Sequence, residues 1–255
     1  MGTAVNRGLR REVRVFKDLD ALSLAAAGEV VSLSKEAIAS HKTFAVALSG
    51  GSTPKGLYSL LGQFPYRDEI DWKRVLVFWA DERCVPPTHP ESNFRLAFDA
   101  FLSKVSPPAE NIRRIAGEEE PGRAAEQYEQ GIRSHFGAVS FPAFDLMILG
   151  AGGDGHTASL FPGSDVLREK KRLAAPVYLE PAKRNRVTLT LPVLNHAAKV
   201  LFLAAGRAKA GVVHEILENG NPKQYPAGLI EPVRGSVTWM IDQEAAGSLT
   251  GSLLP

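Results

Sequence analysis

Phe144-Asp-Leu-Met-Ile-Leu-Gly150 runs directly into Ala-Gly-Gly-Asp154-Gly155-His156. A run this apolar is expected of a strand covered on both faces, and the glycines after it force a bend that presents a carboxylate and an imidazole together. Active sites of open α/β sheets lie at such strand ends. Working outward, the same strand pattern recurs at Val13–Phe16, Phe44–Leu48, Val75–Trp79, Arg186–Leu191, Val200–Ala204 and Val237–Ile241. Between these runs, Leu22, Ala26, Val30, Leu33 and Ala37 mark one helical face. Ala124, Tyr128, Ile132 and Phe136 mark a second, and Val212, Val213, Ile216 and Leu217 a third. Alternating strands and helices predict an α/β chain built on a mostly parallel, doubly wound sheet.

Whole-chain properties narrow the class. The 255 residues form a single domain on this reading, with residues 1–12 as a disordered lead-in; the polar stretch Gly117-Glu-Glu-Glu-Pro-Gly122 reads as a loop before a helix. Thirty basic and 28 acidic side chains leave a net charge of +2, without the basic stripe of a nucleic-acid binder. Cys84 is the only cysteine, which excludes an internal disulfide or a thiolate cluster and predicts a reducing cytoplasm. No apolar stretch is long enough for a membrane span, and the arginine-bearing start lacks an apolar signal core.

A second glycine-rich bend, Ser49-Gly50-Gly51-Ser52-Thr53-Pro54, follows the Phe44–Leu48 run. Thr53 is a good N-cap and Pro54 suits the first helical position, so a helix through Leu57, Tyr58, Leu60 and Leu61 is predicted. Its free N–H groups and positive dipole end favour an anion, and Ser52 and Thr53 add hydroxyl donors. The alternative is a plain strand–helix turn with a good cap. It is not a P-loop, which needs a following Lys-[Ser/Thr].

Gly150-Ala-Gly152-Gly-Asp-Gly155 fits G-x-G-x-x-G. The helix after it is predicted to be only Thr157–Phe161, cut short by Pro162, and Asp154 would repel a pyrophosphate; a dinucleotide site is rejected. Asp154 instead stands where it can orient His156 and raise its basicity. Asp81-Glu82-Arg83, ending the Val75–Trp79 run, reads either as a group that binds a polyol or steadies an oxyanion, or as a solvated ion pair. Cys84 beside it is read as structural, and Pro86-Pro-Thr-His-Pro90 as a rigid wall of a cleft. Arg186 and Lys209 either complete a phosphate site or are ordinary surface charge. His41, His89, His135, His196 and His214 stand apart, with no metal-ligand spacing.

Together, Ser49-Gly-Gly-Ser-Thr-Pro54, Trp79-Ala-Asp-Glu-Arg-Cys-Val-Pro86, Ser92-Asn93, Gly152-Gly-Asp-Gly-His-Thr-Ala-Ser-Leu-Phe-Pro-Gly163, Arg186-Val-Thr-Leu-Thr190 and Gly206-Arg-Ala-Lys-Ala210 resemble the 6-phosphogluconolactonase family, in its motif order, from about Val13 to Ile241. The resemblance implies a Rossmann-like three-layer α/β/α sandwich, shared with glucosamine-6-phosphate deaminases. It implies hydrolysis of 6-phospho-D-glucono-1,5-lactone, with His156 as general base on water, Asp154 orienting it, and Arg83 with the N–H groups near Gly50 and Gly51 at the oxyanion. Gly51, Ser52, Thr53, Arg186 and Lys209 would hold the phosphate, with Asp81 among the substrate-binding residues. No cofactor, metal, nucleic acid or membrane is implied, and the chain is expected to be a monomer or homodimer. The deaminases resemble Asp-Glu-Tyr at the acidic tip and Phe-Asn-Glu-Pro in the catalytic loop, where this chain has Asp-Glu-Arg and Ser159-Leu-Phe-Pro162. A non-catalytic sugar-phosphate sensor is the remaining alternative.

Overall fold

The computed structural model describes residues 3–6, 11–137, 139–180, 184–218 and 224–250. Among the described residues, eleven strands form two sheets. They are β1 (Thr3–Asn6), β2 (Arg11–Phe16), β3 (Phe44–Leu48), β4 (Val75–Trp79), β5 (Asp81–Arg83), β6 (Ile112–Arg113), β7 (Leu146–Gly150), β8 (Ala174–Val177), β9 (Arg186–Leu189), β10 (Lys199–Ala204) and β11 (Ser236–Asp242). The main sheet has the order β1-β2-β11-β10-β7-β3-β4-β6. Seven of its strands are parallel and β1 adds to the edge antiparallel. β3 and β4 are buried along their whole length, as their unbroken apolar runs require.

The helices pack around this sheet in the α/β sandwich expected from the alternation. Helix Leu19–His41 buries Leu22, Ala26, Val30 and Ala37 and packs on β2, β3, β11 and helix Ser52–Leu61. Asp18 caps its start by accepting the Ala21 N–H at 2.8 Å. Helix Pro121–Phe136 buries Ala124, Tyr128 and Ile132. Helix Ala210–Leu217 buries Val212, Val213 and Ile216. Large rings fill the interior: Phe202 and Trp239 stack at 4.1 Å, and Phe78 meets Phe144 edge-on at 5.1 Å.

Four sequence expectations are corrected. The Arg186–Leu191 run stops at Leu189 and belongs to the small antiparallel sheet β5-β9-β8, not to the main one. β7 starts at Leu146 because the carboxylate of Asp145 is turned to accept the Ala45 N–H at 2.8 Å. Thr157–Phe161 is not helical: Ala158 takes a positive φ of 48°, and Thr157 and Leu160 pair as an isolated bridge. The proposed disordered lead-in includes strand residues, since Thr3–Asn6 pairs with Arg11–Arg14; residues 1–2 and 7–10 lie outside the described ones.

The chain order places one reversal in the main sheet. From β3 the chain proceeds through β4 and β6 to one side, and from β7 through β10 and β11 to the other. A crevice opens at such a switch point, outside the carboxyl ends of the strands.

Candidate active site

A cavity of about 290 Å³ lies at that switch point. It is lined by Ser49 to Pro54 from the end of β3, Asp81 and Arg83 from β5, and Gly150 to Gly152 with His156 after β7. Asn93, Ser159, Phe161, Arg186 and Lys209 complete most of the wall. Every site residue expected from the sequence lines it except Asp154, which stands behind His156. The Pro86–Pro90 segment does not line it. Within it Thr88 O accepts Arg95 Nη1 at 2.6 Å, and just beyond it Glu91 O accepts Arg83 Nη1 at 2.6 Å.

The loop after β7 is a closed device. Gly152 N–H donates to His156 O at 2.8 Å, Gly155 N–H to Gly152 O at 3.0 Å, and Thr157 Oγ1 to Gly150 O at 2.8 Å. Asp154 Oδ1 receives both the His156 backbone N–H at 3.1 Å and its Nδ1 at 2.6 Å. A carboxylate can only accept, so Nδ1 carries the proton, and in the neutral ring the lone pair is then on Nε2. Partial burial works against ionised Asp154, but the His156 N–H and ring hydrogen bonds outweigh it and hold the carboxyl below its usual range. The glycines permit this packing. A Cβ on Gly152 would run into the His156 ring and the Asp154 carboxylate, and Gly155, at φ +80°, lies under the Tyr225 ring. Phe161 covers the imidazole at 4.8 Å between ring centres.

The acidic tip divides into two unlike carboxylates. Asp81 lines the cavity, accepting Ser159 Oγ at 2.7 Å and Asn93 Nδ2 at 3.3 Å. Glu82 alternates to the other side, where it accepts the N–H groups of Arg83, Asn93 and Phe94 at 2.7–2.8 Å and Ser92 Oγ at 3.0 Å. Burial nonetheless pushes the Glu82 carboxyl up. Its place is structural: it anchors the start of helix Asn93–Ala97 and thereby Asn93 itself. Burial pushes the Cys84 thiol up to about 11, so this side chain is a poor nucleophile near neutrality.

Two cations face each other across the small sheet. Arg83 and Arg186 are direct register partners in β5 and β9. Burial and the charge of Arg83 both lower the Arg186 guanidinium. Like charges placed opposite one another are unfavourable unless an anion joins them. Lys209 reaches the same cavity from the turn after β10. That turn is held by Asp242, which accepts Gly206 N–H at 3.0 Å and Ala245 N–H at 2.7 Å.

The glycine-rich bend after β3 differs in detail from the expected cap. Helix Ser52–Leu61 begins at Ser52 with Gly51 as its N-cap, at φ 106° and ψ 171°, and Thr53 makes no cap. Pro54 therefore sits in the first turn rather than opening it, where its missing N–H still costs nothing. Ser52 and Thr53 stand at the helix start and line the cavity, and the free N–H groups of a helix start favour an anion. Tyr58 fixes the bend in both directions, donating its hydroxyl to Ser49 O at 2.7 Å and accepting Ser49 N–H at 3.1 Å.

The model of the family described as glucosamine-6-phosphate isomerases/6-phosphogluconolactonase matches residues 17–239. This chain belongs to that family. A 6-phosphogluconolactonase of Synechocystis sp. is 41% identical over 218 residues, covering 84% of this chain and 88% of that protein. The solved 6-phosphogluconolactonase of Trypanosoma cruzi is 30% identical with a TM-score of 0.83, covering 93% of this chain and 96% of that one. A monomeric glucosamine-6-phosphate deaminase, 21% identical with a TM-score of 0.79 over 93% of this chain and 99% of that one, shares the fold. Among the described residues no helix is long and apolar enough to cross a membrane.

Within this family member, Asn93 and Ser159 are site residues that sequence periodicity did not single out. Asn93 opens helix Asn93–Ala97 and Ser159 lies in the loop after β7, and both are tied to the distant Asp81. Gly51 gives a direct test of the bend. Its backbone lies in a region open essentially to glycine alone, so Gly51→Ala is expected to cost roughly 1–3 kcal/mol. Urea unfolding should show a lower midpoint, and titration with inorganic phosphate weaker binding; an unchanged midpoint would mean the bend tolerates a side chain.

Proposed function

We propose that the protein hydrolyses 6-phospho-D-glucono-1,5-lactone to 6-phospho-D-gluconate, the second step of the oxidative pentose phosphate pathway, in a single catalytic domain. The observation that carries this reading is the Asp154–His156 pair, whose arrangement leaves imidazole Nε2 as the free base at a cavity that also gathers Arg83, Arg186 and Lys209. The close likeness to proteins named 6-phosphogluconolactonase supports the same substrate.

In the proposed reaction, His156 Nε2 takes a proton from water as the water oxygen bonds to the lactone carbonyl carbon. The carbonyl oxygen becomes an oxyanion, for which the backbone N–H groups near Gly50 and Gly51 are the proposed donors. The bond from that carbon to the ring oxygen then breaks, and the ring oxygen takes the proton back from the imidazolium. Ionised Asp154 stabilises the charged ring between these two transfers. Ser52, Thr53, Arg186 and Lys209 bind the phosphate, supplying binding energy remote from the reacting carbon. The direct pairing of Arg83 with Arg186 favours the phosphate, rather than the oxyanion, as the partner of Arg83 too. The deaminase alternative is disfavoured by Ser159, which stands in the loop segment where those enzymes place Phe-Asn-Glu-Pro and is spent on Asp81. The lone cysteine supports a cytoplasmic setting, and the proposed state is a monomer or homodimer.

Two outcomes check these roles. His156→Ala is expected to lower kcat by about two to four orders of magnitude, and Asp154→Asn to lower it with little change in KM. Near-normal turnover by His156→Ala, after correction for spontaneous lactone opening, would remove His156 from the chemistry. Lys209→Ala should raise KM for the phosphorylated lactone far more than for unphosphorylated gluconolactone, and equal losses on both would take Lys209 out of the phosphate site.

A further inference from the structure

We infer that Ser49 and Asn93 form the part of the site that reads the sugar's hydroxyl groups, and so set specificity for a polyol phosphate over phosphate alone. The inference rests on the lactonase reading for the identity of the sugar. Its grounds lie in unpaired polar atoms. Ser49 is 5% exposed and Asn93 is 2% exposed, yet Ser49 Oγ and Asn93 Oδ1 are buried without a hydrogen-bond partner, and both residues line the cavity. A buried polar group left unpaired costs about 1–3 kcal/mol, which a ligand that pairs with it recovers.

The chemistry of these atoms selects the ligand group. Asn93 Nδ2 donates to Asp81 O at 2.9 Å and Asp81 Oδ1 at 3.3 Å, which fixes the amide so that its oxygen is the group left over. That oxygen rests against Gly50, where a Cβ would collide with it. An amide oxygen only accepts, and the Asp81 carboxylate lies beside it, so a phosphate oxygen is repelled there while an alcohol O–H is bound. Ser49 Oγ can donate or accept, and its own backbone is already held by Tyr58. The cavity thus offers acceptors at Ser49, Asp81 and Asn93 as well as cations at Arg83, Arg186 and Lys209. A ligand carrying both hydroxyls and phosphate can engage both kinds of group.

Calorimetric titration of the full chain with 6-phosphogluconate and with inorganic phosphate tests this. Ser49→Ala removes one hydroxyl and keeps both backbone bonds to Tyr58. Asn93→Ala also frees Asp81, so its melting temperature is measured alongside. Each variant is expected to weaken 6-phosphogluconate by roughly five- to tenfold, the worth of one neutral hydrogen bond, and to leave phosphate binding unchanged. Equal weakening of both ligands would make the two residues mere scaffolding, and no weakening of either would also overturn the inference. A wild-type protein that fails to open the lactone but shows the expected binding pattern would refute the reaction and leave the hydroxyl-reading role standing.

Discussion

The parallel pairing of β3 with β7, in register from Val46 with Leu146 and Ala47 with Met147, is the constraint on which the site depends. Because β3, β4, β7 and β10 all run the same way, their carboxyl ends reach one edge of the sheet. The glycine-rich bend, the acidic tip, the Asp154–His156 loop and the Lys209 turn are continuations of those four strands. A one-residue slip at β7 would turn its apolar side chains to opposite faces and shift the imidazole along the edge. Packing energy in the core therefore holds groups that make little contact with each other directly.

The small sheet adds a second level of control. Ala80 links it to the main one: its N–H donates to Leu48 O at 2.8 Å and its carbonyl accepts Leu189 N–H at 2.7 Å. This carries Asp81 and Arg83 forward from β4 and sets Arg186 opposite Arg83. Two adjacent carboxylates end in different roles because alternate residues of a strand face opposite sides. Asp81 meets the cavity, while Glu82 is absorbed by the start of the Asn93 helix. The result is a cavity lined by both cations and hydrogen-bond acceptors, which suits a molecule that carries both phosphate and hydroxyls.

Much of this architecture was readable from residue order. The central strands announce themselves because burial on both faces demands unbroken apolar runs, and the glycine-rich bends after β3 and β7 mark where the backbone must turn. What could not be read depends on partners far along the chain. The Arg186–Leu189 run alternates polar and apolar residues as strands of either sheet can, and only its pairing with β5 and β8 assigns it to the second sheet. Thr157–Phe161 has helix-compatible residues, but Thr157 is drawn back to Gly150 O and Ser159 to Asp81. Gly51 rather than Thr53 caps its helix because the chain turns there through a φ of 106°, which glycine adopts without steric cost. Ser49 and Asn93 carry no periodic signal, and their significance comes from burial without a partner, which a sequence does not display.

The central claim is that this geometry performs lactone hydrolysis and not amine chemistry. The most direct measurement is the rate of opening of freshly generated 6-phosphogluconolactone by the wild-type protein, corrected for the spontaneous reaction, beside ammonia release from glucosamine 6-phosphate. Acceleration of the lactone reaction without ammonia release is the predicted result. Ammonia release, or a lactone rate no faster than the spontaneous one, would contradict the account.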